Sequence, residues 1–168
     1  MVSGRAVVVG YDGSPASAAA ARWAATEAAL QGLPLRVVHV PAWPVLRAPT
    51  AAAVMTRLEH VHRAAERLLD QECQAIRADH PGLRIDVAVV VGETVPVLLR
   101  EATDAAVLVL GSRGLGEFRD LAAGSVMTHL ATHATCPVVV VPAGWHAEPS
   151  VEPEIGVDGS EHSATIGG

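Results

Sequence analysis

Short apolar runs alternate with longer segments of helical character along most of this chain. The apolar runs are rich in valine and leucine and occupy residues 7–9, 35–40, 83–91, 106–110 and 138–141. Strands that are covered on both faces are apolar throughout instead of alternating with a period of two. We therefore interpret these runs as buried strands.

The segments between the runs carry helix signals. Ser14-Pro15 opens an alanine-rich stretch, where serine is a good N-cap and proline fits the first helical turn. The next segment has apolar residues at spacings of three, four and seven, which predicts a long amphipathic helix: Leu58, Val61, Ala65, Leu68, Leu69 and Ile76. Shorter helices are predicted over residues 94–102 and 125–133.

This alternation of strands and helices predicts an α/β fold. A parallel sheet is covered by helices on both faces, and its crossovers are right-handed. The expected architecture is a three-layer, open, twisted sheet of five parallel strands.

The periodicity ends after Pro142. Residues 143–153 contain two prolines and no periodicity, as expected of a linker. Residues 155–164 then match residues 9–18 at six of ten positions, at an offset of 146. We predict a domain over residues 1–142, a linker over 143–153 and the truncated start of a second copy over 154–168. The alternative is chance similarity within a short glycine-rich window.

Composition limits the chain to one full-sized domain plus a remnant. Of its 168 residues 50% are hydrophobic but only 3% are aromatic, so the core is expected to consist of valine, leucine and alanine. The apolar runs are far shorter than the roughly 20 residues of a membrane-spanning helix, and no signal-peptide cleavage site is present. We expect a soluble cytoplasmic protein that does not enter a membrane.

Charge and cysteine content exclude several functions. All 12 basic residues are arginine, which rules out a Walker A lysine and Schiff-base chemistry. The net charge of −6 and the scattered arginines argue against nucleic-acid binding. Cys73 and Cys136 are too few for a disulfide framework, so both are expected to be reduced, buried thiols.

A glycine-rich segment between the fourth predicted strand and the last predicted helix is the strongest chemical signal. It follows the pattern Gly111-x2-Gly114-x9-Gly124-Ser125. Glycines at the carboxyl end of a strand let backbone amides approach a ligand, and a helix that begins at Ser125 directs its free amides at an anion. The pattern favours a phosphate site, although glycines that only serve turns are the alternative. It is not the GxGxxG dinucleotide fingerprint.

Asp12 follows the first predicted strand in the sequence Gly-Tyr-Asp-Gly-Ser. Its carboxylate could bind a ribose hydroxyl or an adenine amino group, or it could cap the next helix together with Ser14. Ligands of open α/β sheets bind beyond the carboxyl ends of the strands, at the point where the strand order reverses. Asp12 and Gly111 share a site only if strands one and four are neighbours, which predicts the strand order 3-2-1-4-5.

Other candidate residues are weaker. His129 and His133 stand four apart on a predicted helix, but no HExxH pattern or third ligand accompanies them, so we interpret them as partly exposed helix positions and predict no metal site. His39 could line a pocket, although a buried, hydrogen-bonded histidine is the favoured interpretation. Ser125 does not lie in a GxSxG elbow, so we predict no catalytic nucleophile.

The opening Val-Val-Val-Gly-Tyr-Asp-Gly-Ser and the long-spaced glycine motif together resemble the universal stress protein family, over residues 5–142 with a second start at 154–164. The glycine motif is similar to that of the ATP-binding branch of the family. The resemblance implies an adenine nucleotide alpha hydrolase-like fold. It also implies dimerisation across the edge strand at residues 138–141.

The resemblance further implies a site for ATP, with or without magnesium. Asp12 and Val40 would lie at the adenosine end, Gly111 and Gly114 near the ribose and phosphates, Arg113 facing the phosphates, and Gly124, Ser125 and Val126 around them. Tyr11 departs from the small aliphatic residue usual after the first glycine. Its ring would narrow the entrance or fill a gap in the core.

Three functions remain open from the sequence. The first is a nucleotide-dependent regulator in the stress response. The second is a slow ATPase or phosphotransferase, for which only Arg113 and either Asp12 or Asp120 are available near the phosphates. The third is an interaction scaffold that binds no nucleotide.

Overall fold

Strands and helices alternate through the residues that the computed structural model describes, which are 5–41, 51–112 and 125–146. The elements are β1 (Ala6–Gly10), α1 (Pro15–Gln31), β2 (Leu35–His39), α2 (Ala51–Asp79), β3 (Ile85–Val89), α3 (Thr94–Glu101), β4 (Ala105–Gly111), α4 (Ser125–His133) and β5 (Val138–Val141). The predicted alternation is confirmed. The largest difference in the strands is at β3, which is shorter at both ends than the predicted run.

The strands form one parallel sheet in the order β3-β2-β1-β4-β5, as predicted. Val9 of β1 is paired with Val37 of β2 on one side and with Val109 of β4 on the other. The strand order reverses at β1, because β2 and β4 lie on its two sides. The carboxyl end of β1 is therefore the position where open α/β sheets bind ligands.

Two apolar clusters cover the two faces of the sheet. Helices α1 and α2 pack on the first face with Val7 and Val9, and helices α3 and α4 pack on the second face with Val8. Successive side chains of a strand point to opposite faces, so β1 is buried on both. This burial explains why the strand is an uninterrupted apolar run.

Helix α1 lies against the centre of the sheet through alanines. Ala20, Ala21, Ala24, Ala25 and Ala28 are fully buried in the first cluster. Because alanine has only a methyl side chain, the backbone of α1 can lie close to β1 and β4. The alanine-rich composition is thus a packing requirement of this helix.

Trp145, which follows β5, packs on the first cluster, and its backbone amide donates to the Pro142 carbonyl at 3.0 Å. In the described part of the chain, no helix is both long and apolar enough to cross a membrane. Cys73 is buried and Cys136 is half-buried, and both are free thiols.

Candidate functional site

The turn between β1 and α1 is held by a local network of hydrogen bonds. The Asp12 Oδ1 atom accepts from the Ser14 amide at 3.0 Å, and Ser14 Oγ accepts from the Ser17 amide at 3.1 Å. Gly13 joins them at φ +82°, in the left-handed region that favours glycine. Asp12 therefore takes part in the helix-capping turn, one of the two roles that the sequence left open.

Gly111 ends β4 directly beside the first turn of α1. A Cβ placed on Gly111 would lie 2.5 Å from the Ala16 carbonyl carbon and 2.7 Å from the Ser17 amide nitrogen. Only a residue without a side chain allows this approach. The structure thus places Gly111 and the α1 turn that follows Asp12 at one end of the sheet, and it gives Gly111 a packing role that the sequence analysis missed. The small residues Ala16 and Ser17 were the available signal.

The other candidate residues divide into two groups. Val40, just after β2, and Val126, in the first turn of α4, are partly buried against the second cluster. Ser125 begins α4. Arg113, Gly114 and Gly124 lie outside the described residues, as does Asp120. The five placed residues therefore follow or end β1, β2 and β4, or begin α4.

Tyr11 connects this site to the helical layer. Tyr11 is 6% exposed and belongs to the first cluster, so its side chain fills a core position. Its hydroxyl donates to Glu72 Oε2 of α2 at 3.3 Å. Burial, followed by the negative charge of Glu72 and this hydrogen bond, raises the pKa of Tyr11 to about 12.

The backbone of Tyr11 is also fixed on both sides. Its amide donates to the Val38 carbonyl at 2.8 Å, and its carbonyl oxygen lies 2.7 Å from His39 Nδ1. Since a carbonyl only accepts hydrogen bonds, His39 Nδ1 is the donor in this contact. His39 is therefore hydrogen-bonded, as the sequence analysis favoured, but it is half-buried instead of buried.

A cavity and a pair of stacked histidines are further features of the described structure. An open cavity of about 390 Å³ is lined by Pro41, which follows Val40, by the α2 residues near His62, and by Val89 and Val91. None of the five placed candidate residues is among the residues that line this cavity. His129 and His133 are exposed and stack with ring centroids 5.4 Å apart. Over the described ranges, no group of three or more histidine, cysteine or acidic residues is arranged to hold a metal ion.

Comparison with known proteins identifies the class of protein that this fold and site define. Residues 4–142 match the universal stress protein family, and the chain belongs to that family. It is 34% identical over 169 residues to universal stress protein Rv2623 of Mycobacterium tuberculosis (strain ATCC 25618 / H37Rv), covering 94% of this chain and 55% of that protein. The chain thus spans about half the length of the curated relatives that it matches.

Solved structures share the fold. Universal stress protein UspA from Lactobacillus plantarum superposes with a TM-score of 0.67 at 21% identity, over 82% of this chain and 98% of that one. A universal stress protein in complex with cAMP has a TM-score of 0.60 at 28% identity, over 82% of this chain and 96% of that one. These likenesses show that the chain shares the fold of solved universal stress proteins.

Proposed function

We propose that this universal stress protein binds an adenine nucleotide, with ATP as the expected ligand, and acts as a nucleotide-dependent regulator in the stress response. The observation that carries the proposal is the position of Asp12 and Gly111 at the carboxyl ends of β1 and β4, next to the first turn of α1. A structurally similar universal stress protein is in complex with cAMP, which supports an adenine nucleotide as the class of ligand.

In this proposal the two halves of the nucleotide are bound by different parts of the chain. Asp12 and Val40 bind the adenosine end. Gly111 and Gly114 approach the ribose and phosphates. The phosphates, with or without magnesium, lie against Arg113, Gly124, Ser125 and Val126. The amino end of α4 contributes the backbone amides and the helix dipole that favour an anion.

A regulatory role follows from linkage between binding and stability. A nucleotide that binds only the folded protein stabilises it by about 2.7 kcal/mol at a concentration 100 times its dissociation constant. Occupancy can therefore change the population of folded or partner-binding states without a chemical step. Slow hydrolysis of ATP is the second activity to test, by a single-turnover assay on the same complex.

We also propose that the protein is a homodimer, as the family resemblance implies, and that it is cytoplasmic. The dimer would form through β5, whose residue Val140 is 44% exposed. An unpaired edge strand presents free backbone groups to a second strand. The repeat unit would be residues 1–142, joined by residues 143–153 to the second start at 154–168.

The first experiment is titration calorimetry of ATP with magnesium into the wild-type chain and into Gly124→Glu. The new carboxylate would stand against the phosphates and repel them. The matched control is Gly82→Glu, because Gly82 is exposed and a Cβ there would meet no atom within 4 Å. We expect binding by the wild type and by Gly82→Glu, and none by Gly124→Glu. Absence of ATP binding by the wild type would overturn the proposal and leave the scaffold function.

A further inference from the structure

Glu72 is a buried carboxylate with few partners. Its side chain is only 10% exposed, and Arg22 Nε lies 3.7 Å from Oε1, beyond hydrogen-bond distance. Within the described residues Oε1 accepts no hydrogen bond. Since a buried charge is costly unless it is paired and hydrogen-bonded, the Tyr11 hydroxyl at 3.3 Å from Oε2 is a major source of compensation.

Tyr11 in turn determines where Asp12 stands. The Tyr11 amide and carbonyl are hydrogen-bonded to Val38 and His39 of β2, and its hydroxyl donates a hydrogen bond to Glu72 of α2. Asp12 is the next residue, so its backbone starts from a fixed position. The Ser14 amide then orients its carboxylate.

Through one residue, Tyr11, these contacts join the end of β1, the end of β2 and the C-terminal part of α2. We infer that Tyr11 and Glu72 form a positioning pair, which holds the Asp12 carboxylate for the adenosine end of the nucleotide and ties occupancy of the site to the position of α2. The inference rests on the proposed nucleotide binding and adds to it a second helix that responds to the ligand. Neither residue touches the nucleotide itself.

The pair can be tested with variants that change little else. Tyr11→Phe removes only the hydroxyl, and Glu72→Gln keeps the shape of the side chain while removing its charge. Glu66→Gln is the matched control, because Glu66 lies on the same helix but is 55% exposed and pairs only with His62, at 3.3 Å, among the described residues. ATP affinity is measured by calorimetry at a temperature where circular dichroism shows every variant folded.

We expect each single variant to weaken ATP binding about tenfold, within the range of coupling through packed networks. The double variant should bind no more weakly than Tyr11→Phe alone, because Tyr11→Phe removes the hydrogen bond that Glu72→Gln only weakens. The control should stay within about twofold of the wild type. Equal ATP affinity in all variants, with a wild type that binds, would overturn the inference and leave the proposed function intact.

A second readout requires no variant. Tyr11 is the only tyrosine of the chain, so labelling tyrosine with ¹³C at Cζ gives a single resonance. We expect this resonance to shift when ATP is added, because the Tyr11 hydroxyl senses any movement of Glu72. An unchanged resonance at saturating ATP would overturn the coupling to α2. A wild type that does not bind ATP in calorimetry would overturn the proposed function, and this inference with it.

Discussion

Gly111 of β4 and Ala16 of α1 approach so closely that a Cβ on Gly111 would lie 2.5 Å from the Ala16 carbonyl carbon. The contact joins the central part of the sheet to the first turn of the helix that follows Asp12. A glycine of the proposed nucleotide site therefore also serves the packing of the fold. A variant at this position must be examined both for stability and for the proposed binding.

Gly111→Ala should destabilise the protein by about 3 kcal/mol, because backbone atoms on a buried helix must move to admit the methyl group. Urea unfolding followed by circular dichroism measures the change. Gly82→Ala is the control, since open space surrounds that position. Equal unfolding midpoints for the two variants would contradict the packing role of Gly111.

Arg36 should stabilise the outer part of the sheet through two carboxylates. Its Nε donates to Glu101 Oε2 at 2.6 Å, and its guanidinium pairs with Asp86. Glu101 is only 14% exposed, and its hydrogen bond is the main cause that raises the pKa of Arg36. Arg36→Ala should therefore cost about 2 to 3 kcal/mol in the free energy of unfolding, since it leaves a largely buried carboxylate without this cation.

The control for this change is Arg63→Ala. Arg63 is 57% exposed and pairs with Glu59 one helical turn away at 3.4 Å. Such exposed pairs contribute less than about 0.5 kcal/mol. Urea unfolding measures the free energy of unfolding of both variants. If Arg36→Ala lost no more of this free energy than Arg63→Ala, the largely buried pairing of Arg36 would not be stabilising.

Tyr11 should make the protein less stable at alkaline pH. Its pKa is raised from 10.0 to about 12 in the folded state, so the unfolded chain loses the phenolic proton first as pH rises. Between pH 10 and 12 the folded state binds more protons than the unfolded state, and the free energy of unfolding falls with pH. The free energy of unfolding is lower by about 3 kcal/mol above pH 12, and below pH 10 this loss disappears.

Comparison with Tyr11→Phe isolates this effect from other groups that titrate in the same range. Urea unfolding is measured for both proteins at pH 9 and pH 11.5. We expect the wild type to lose more stability than the variant between these two values. Parallel losses would mean that the Tyr11 phenol titrates alike in the folded and unfolded chains.

The edge strands give a test of the proposed dimer. Val140 of β5 is 44% exposed and Val87 of β3 is 39% exposed, and each lies on an outer strand of the sheet. Val140→Glu should convert the dimer to a monomer, because a buried unpaired carboxylate at the interface is costly. Val87→Glu, on the opposite edge, should leave the dimer intact. Light scattering after size exclusion distinguishes these outcomes, and a monomeric wild type at micromolar concentration would remove the proposal.

The order of elements followed from local sequence patterns. The bounds of α4 and β5 agree with the apolar and helical segments at residues 125–133 and 138–141. The strand order was predictable from one further condition, that Asp12 and Gly111 share one end of the sheet. Parallel strands buried on both faces are continuous apolar runs, so the strands of this fold class can be identified from the sequence.

What the sequence by itself determined is the alternation, the family and the candidate residues, since these depend on residue types and spacing. Only the tertiary structure decided that Tyr11 fills a core position and that Glu72 accepts a hydrogen bond from its hydroxyl. The same holds for the close approach of Gly111 to the first turn of α1. Glu72 lies 61 positions from Tyr11, and no periodicity along one helix indicates which distant strand it faces. Such partners are set by how the layers pack, because a buried side chain such as Glu72 meets its hydrogen-bond partner on another element.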